Sequence, residues 1–153
     1  MRRLPANVEL MVLRVLLGTA IAVSFVHYLD DTLRYTDYTG PNPPAVTAWI
    51  AAWMLPVAWV LFTAAGLLGY RRFRQRQWTQ AAICLGVYSI SGLISLGHYL
   101  GISIEDLSVF QNTFVFADIA LGAALLAFAV WTAVHPMGVR FGGTTRGGSR
   151  LAR

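Results

Sequence analysis

Polar residues divide the chain into four long apolar stretches, about Val8 to Leu29, Ala45 to Gly69, Thr79 to Leu100 and Thr113 to Val134. A helix needs roughly 20 apolar residues to cross the hydrocarbon core of a bilayer, and each stretch qualifies. The linker from Tyr70 to Trp78 is too short for anything but an antiparallel helix hairpin. The pattern therefore predicts an all-α integral membrane protein, a four-helix transmembrane bundle running up-down-up-down. Residues 1–135 hold the bundle, and 136–153 form a disordered basic tail on the inner surface.

Local signals refine the element ends. Span one starts near Pro5 with Asn7 as cap and Arg14 snorkelling to the headgroups, and it ends as Asp30 and Asp31 reach water. Arg2 and Arg3 ahead of the apolar run, with Ala20-Ile21-Ala22 behind, resemble a signal peptide. Glu9 and Arg14 interrupt that run, so the segment is read as a retained span. The next loop, Thr32 to Pro44, is expected to be ordered, because Pro41-Asn42-Pro43-Pro44 forbids helix and stiffens the entry to span two. Trp49 and Trp53, four residues apart, are expected on one face of span two as membrane-interface anchors, with Pro56 kinking it mid-span. In span three, Cys84, Tyr88, Ser91, Ser95 and His98 follow helical spacing, which predicts a polar stripe facing the bundle interior. Ser103 to Asp106 reads as a capping box for a short helix or for an extended span four. Span four then has Asp118 about 7 Å below its start by helical rise, and Ala120, Gly122, Ala123, Ala124 and Ala127 give it small faces for close packing. His135-Pro136 ends it.

Composition agrees with the pattern, since 56% of residues are hydrophobic and only 12% charged. Charge adds direction. All 12 basic residues are arginines, and eleven flank the inner ends of the spans, whereas the other two loops contain only Arg34. The positive-inside rule then places both termini and the Tyr70 to Trp78 loop in the cytoplasm, as in a plasma (inner) membrane protein. The net charge of +5 is explained by this topology, so nucleic acid is excluded as a partner. The partners expected are the lipid bilayer and either another membrane subunit or further copies of the chain. The lone Cys84 excludes a disulfide framework and C-x-x-C chemistry, and no P-loop, nucleophile elbow or dinucleotide fingerprint is present.

The candidate chemistry lies in a repeated motif. Ser24 to Leu29 and Ser95 to Leu100 both read S-x-x-H-Y-L, identical at four of six positions. Aligning them superposes spans one and two on three and four, so the chain reads as a tandem two-hairpin repeat. Topology puts His27 and His98 at the same outer face, with Asp30, Asp31 and Asp118 at similar depth. Two imidazoles and one or two carboxylates are ordinary ligands for a divalent transition metal, with Tyr28, Tyr99, Ser91 and Ser95 as supporting groups. Opposed histidines also suit a b-type haem. With no cofactor, the same groups make a proton or quinone-head site, or simply fix helix packing. The leading expectation is an outer-leaflet metal or haem site for redox chemistry or metal handling. The alternatives are a non-catalytic accessory subunit of a larger membrane complex and a small proton-coupled transporter.

Overall fold

The computed structural model describes residues 6–40, 49–100 and 102–135. The expected disordered tail, the Pro41 to Pro44 stretch, Ala45, Arg2 and Arg3 lie outside the described residues. Among the described residues, four helices are long and apolar enough to cross a membrane: Asn7–Leu33, Met54–Arg74, Trp78–Leu100 and Val109–Val134. The protein is an all-α bundle of a multi-pass membrane type. Its elements are α1 (Ala6–Leu33), a short α2 (Tyr35–Thr39), α3 (Met54–Arg74), α4 (Trp78–Leu93) and α5 (Val109–Val134). A 3-10 segment, Ile94–Leu100, continues α4, and a 3-10 turn, Ile104–Asp106, precedes α5.

α1 packs on α3 and α5, and α4 packs on the same two helices, so α1 and α4 face each other across the bundle. Contacts between neighbours pair rising residue numbers on one helix with falling numbers on the next: Gly66 meets Tyr88 and Gly69 meets Leu85. The side chains are sorted as lipid solvent demands. Val15, Phe25, Leu61 and Val130 point outward and are exposed, while Ser24, His27, Ser91, Ser95 and Asp118 are buried.

The interior has two halves. Near the arginine-bearing end of α3, the core is apolar and is built from Leu13, Leu17, Phe73, Ala81, Leu85 and Leu125. Near the histidines it becomes polar, beside a small apolar cluster of Tyr38, Leu107 and Val115. α4 and α5 come close together between these halves. A side chain on Gly92 would strike the backbone carbonyl of Asp118, and one on Gly122 would lie 2.9 Å from the carbonyl of Ser89. Small residues there let the two backbones touch, and that contact sets where Asp118 sits.

Several element ends differ from expectation, each for a local reason. α1 continues to Leu33, because Asp31 turns inward with His27 instead of marking the water boundary. The second long helix begins at Met54, so Trp49 and Trp53 precede it and are exposed. Pro56 then falls in the first turn, where its missing N–H has no intrahelical partner to lose, and no kink is required of it. The Ser103 to Asp106 box caps only the 3-10 turn, with the Ser103 N–H donating to Asp106 Oδ2 at 2.9 Å. A second box, Ser108 with Gln111, starts α5 at Val109. Asp118 consequently lies about 14 Å along the helix by rise, twice as deep as expected.

Candidate metal centre

His27 stands near the end of α1 on its interior face, and Asp31, four residues later, shares that face by helical geometry. His98 comes from the opposite side of the bundle, on the 3-10 segment after α4. Three residues per 3-10 turn place Ser95 and His98 on one edge. One donor atom from each of His27, Asp31 and His98 lies within 4.8 Å of the others. The His98 Nε2 and Asp31 Oδ2 atoms are 3.6 Å apart, and the two imidazoles meet edge to face with ring centres 5.4 Å apart.

Two of the three residues are shielded from water, and the His98 side chain is 17% exposed. His27 is 1% exposed and Asp31 4%. The short α2 folds back over it and lays Tyr38 against both rings, with centres 4.8 Å from His98 and 5.7 Å from His27. Tyrosine hydroxyls help to hold this strap. The Tyr38 hydroxyl donates to Asp30 Oδ2 at 2.8 Å, and the Tyr35 hydroxyl donates to the Ile50 carbonyl. Burial, and then the bond to Asp30, raise the Tyr38 phenol well above the ordinary tyrosine range. It therefore acts as a neutral donor.

One polar atom in the group is unsatisfied. His27 Nδ1 is buried and has no hydrogen-bond partner, which costs about 1 to 3 kcal/mol in a group that could have been apolar. Buried unpartnered nitrogen beside two other donor-bearing residues is the arrangement a bound cation relieves.

The other candidate residues are placed elsewhere. Asp30, adjacent in sequence to Asp31, points away and is engaged by Tyr38 and by Arg34 at 3.4 Å. Asp118 is buried but outside the three-donor group; it accepts from the Ser95 hydroxyl at 3.2 Å and so ties α5 to the end of α4. Tyr28 packs edge-on against His27 and donates to the Ser91 carbonyl at 3.3 Å. Tyr99 donates to Asn112 Oδ1 at 2.7 Å and stacks on Phe116, so its hydroxyl supports the α5 start. The polar stripe of span three does face inward at Tyr88, Ser91 and Ser95. Arg14 is exposed and donates from Nε to the Tyr70 hydroxyl at 3.3 Å.

Sequence reasoning did not single out Tyr38. Its spacing after a turn at Arg34 is invisible to helical periodicity, although a tyrosine in a Pro-bounded loop beside two acids was a usable hint. Comparison with protein-family models, curated proteins and solved structures found no match for this chain.

Proposed function

We propose that the protein binds a divalent transition metal through His27, Asp31 and His98 in the outer leaflet of the plasma membrane, and that the bound ion serves redox chemistry or metal handling at that face. The observation that carries this reading is the convergence of three donor-bearing side chains from opposite sides of the bundle, one of them with a buried and unpartnered ring nitrogen. Ligands about 2.0 to 2.2 Å from a zinc-like ion stand roughly 3.4 Å apart. The three donors lie within 4.8 Å, so rotamer adjustments and a shift of the 3-10 segment on the order of 1 Å close the set.

Two imidazoles and one carboxylate favour Zn, Fe(II), Mn or Co over Cu(I), which prefers thiolate and thioether ligands. Three protein ligands leave coordination positions open, as a catalytic or exchange site requires and a closed structural site does not. Asp30 and Tyr38 serve the site by holding the strap over it. Haem fits less well, because axial imidazoles stand on opposite faces of a porphyrin whereas these rings are in contact. Asp118 is assigned to helix packing by its bond to Ser95.

The test is metal content. Detergent-purified protein dialysed against Zn, Mn, Fe(II) or Co salts and examined by elemental analysis should retain one ion per chain, and His27→Ala with His98→Ala should retain none. Metal-free wild-type protein that copurifies with a larger membrane complex would favour the accessory-subunit reading instead, with Ser95–Asp118, Tyr28–Ser91 and Ser24–Tyr88 serving as packing ties.

A further inference from the structure

The opposite end of the bundle holds a second buried acid that the metal site does not use. Glu9, in the first turns of α1, is 2% exposed, and its Oε1 has no hydrogen-bond partner. It forms the end wall of a hollow of about 320 Å³ between α1 and α5, walled otherwise by apolar side chains such as Leu16, Ala127 and Trp131. A second hollow of about 370 Å³ shares Val12 and Leu16 with the first and carries the groove on to Thr19 and Leu121. The small side chains of Ala124 and Ala127 are what leave it open.

The dimensions of this groove are those of one leaflet. From Glu9 to Thr19 is ten residues of helix, about 15 Å by rise, or half of the roughly 30 Å hydrocarbon core. Glu9 lies level with the α5 turn that holds Trp131, toward the end of the bundle where α3 carries Arg71, Arg72 and Arg74. The groove thus runs from headgroup depth to mid-membrane, with an acceptor at the headgroup end and apolar walls behind it. A carboxylate oxygen left without a donor in a membrane protein is costly, and the ligand that relieves it must bring a donor, preferably cationic, together with a hydrocarbon chain.

We infer that the α1/α5 groove is a binding site for an aminophospholipid of the inner leaflet, with the primary ammonium of its headgroup donating to Glu9 and one acyl chain lying between α1 and α5 as far as Thr19. An anionic or hydroxyl-headed lipid of the same chain length fills the groove without an ammonium for Glu9. The selectivity therefore resides in Glu9 and the capacity resides in Ala124 and Ala127.

Native mass spectrometry of the full-length protein, with phosphatidylethanolamine and phosphatidylglycerol of identical chains titrated against each other, tests this directly. The wild type should retain phosphatidylethanolamine at least about fivefold more strongly, since a charge-assisted hydrogen bond discriminates on that order. Glu9→Leu should abolish the preference while chain-driven binding persists. Ala127→Phe, a change at an exposed position, should weaken both lipids about tenfold by filling the groove. Metal content at His27, Asp31 and His98 serves as the folding control in each variant if the wild type binds metal, and circular dichroism serves if it does not, so failure of either proposal can be told from failure of the other. Equal retention of the two lipids by the wild type overturns the inference. So does disulfide crosslinking in membranes between Ala124→Cys protomers in a Cys84→Ser background, which would make the groove a contact between copies of the chain.

Discussion

In the Ser24 to Leu29 stretch the serine hydroxyl contacts Tyr88 at 3.3 Å and accepts from Trp59 Nε1 at 3.2 Å, and the tyrosine hydroxyl is spent on the Ser91 carbonyl. In Ser95 to Leu100 the serine instead donates to Asp118, and the tyrosine reaches Asn112 beside the start of α5. The first copy sits in α-helix and the second in 3-10 helix. Only the histidines converge. Serine and tyrosine thus work as joints between helices, to α3 and across the bundle to α4 for the first copy, and to α5 for the second. Identical letters in the motif do not imply identical partners, because each copy meets a different neighbour in the ring of helices. What the copies share is the depth and inward direction of one imidazole.

This contrast can be broken by exchanging or deleting its parts, and the largest effect is expected at the histidines. His27→Ala or His98→Ala alone should lower metal affinity by 100-fold or more, read by competition against a chromophoric chelator, because two remaining donors hold a divalent ion poorly. In the wild type the same affinity should fall as pH is lowered, since protons compete with the ion for both imidazoles. The adjacent acids come next. Asp31→Asn should weaken binding by roughly 10- to 100-fold, whereas Asp30→Asn should leave it within a few fold, as Asp30 is turned toward Tyr38 and Arg34. Equal effects of the two would refute the division of labour between them.

The serines should separate stability from binding. Ser95→Ala strands Asp118 in the interior and should cost about 1 to 3 kcal/mol, lowering Tm with the metal stoichiometry unchanged. Ser24→Ala leaves Tyr88 and Trp59 without their shared partner and should cost a comparable or smaller amount, with unfolding followed in mild detergent. Smallest in equilibrium terms is Tyr38→Phe. It keeps the ring packing and loses one bond to Asp30, about 0.5 to 1.5 kcal/mol. Its signature should be kinetic, with faster metal release in a stopped-flow chelator assay as the α2 strap loosens.

Charge pattern and hydropathy were sufficient to specify a four-helix membrane bundle and the inward direction of the Tyr88, Ser91 and Ser95 stripe. The repeated S-x-x-H-Y-L motif marked His27 and His98 as a pair. These features depend on local composition and on helical period, which each segment carries within itself. Of the small residues expected to pack span four closely, only Gly122 does so, against Gly92 of α4, while Ala120, Ala123, Ala124 and Ala127 are exposed.

Which acid joins the histidines was decided only by tertiary structure. Asp30, Asp31 and Asp118 have the same chemistry on paper, and the choice among them depends on where α1 ends and where α5 begins. Those boundaries moved by four residues each, because Asp31 is buried beside His98 and because Ser108 with Gln111 caps α5 early. A one-residue step turns a side chain about 100° around a helix, so Asp31 faces His98 while Asp30 faces the strap. The strap itself follows from a turn at Arg34 that no periodic signal encodes, and Glu9 shows the same limit at the other end. In the sequence it is one acid interrupting an apolar run. Only the packing of α5 against α1 buries it at the head of a groove.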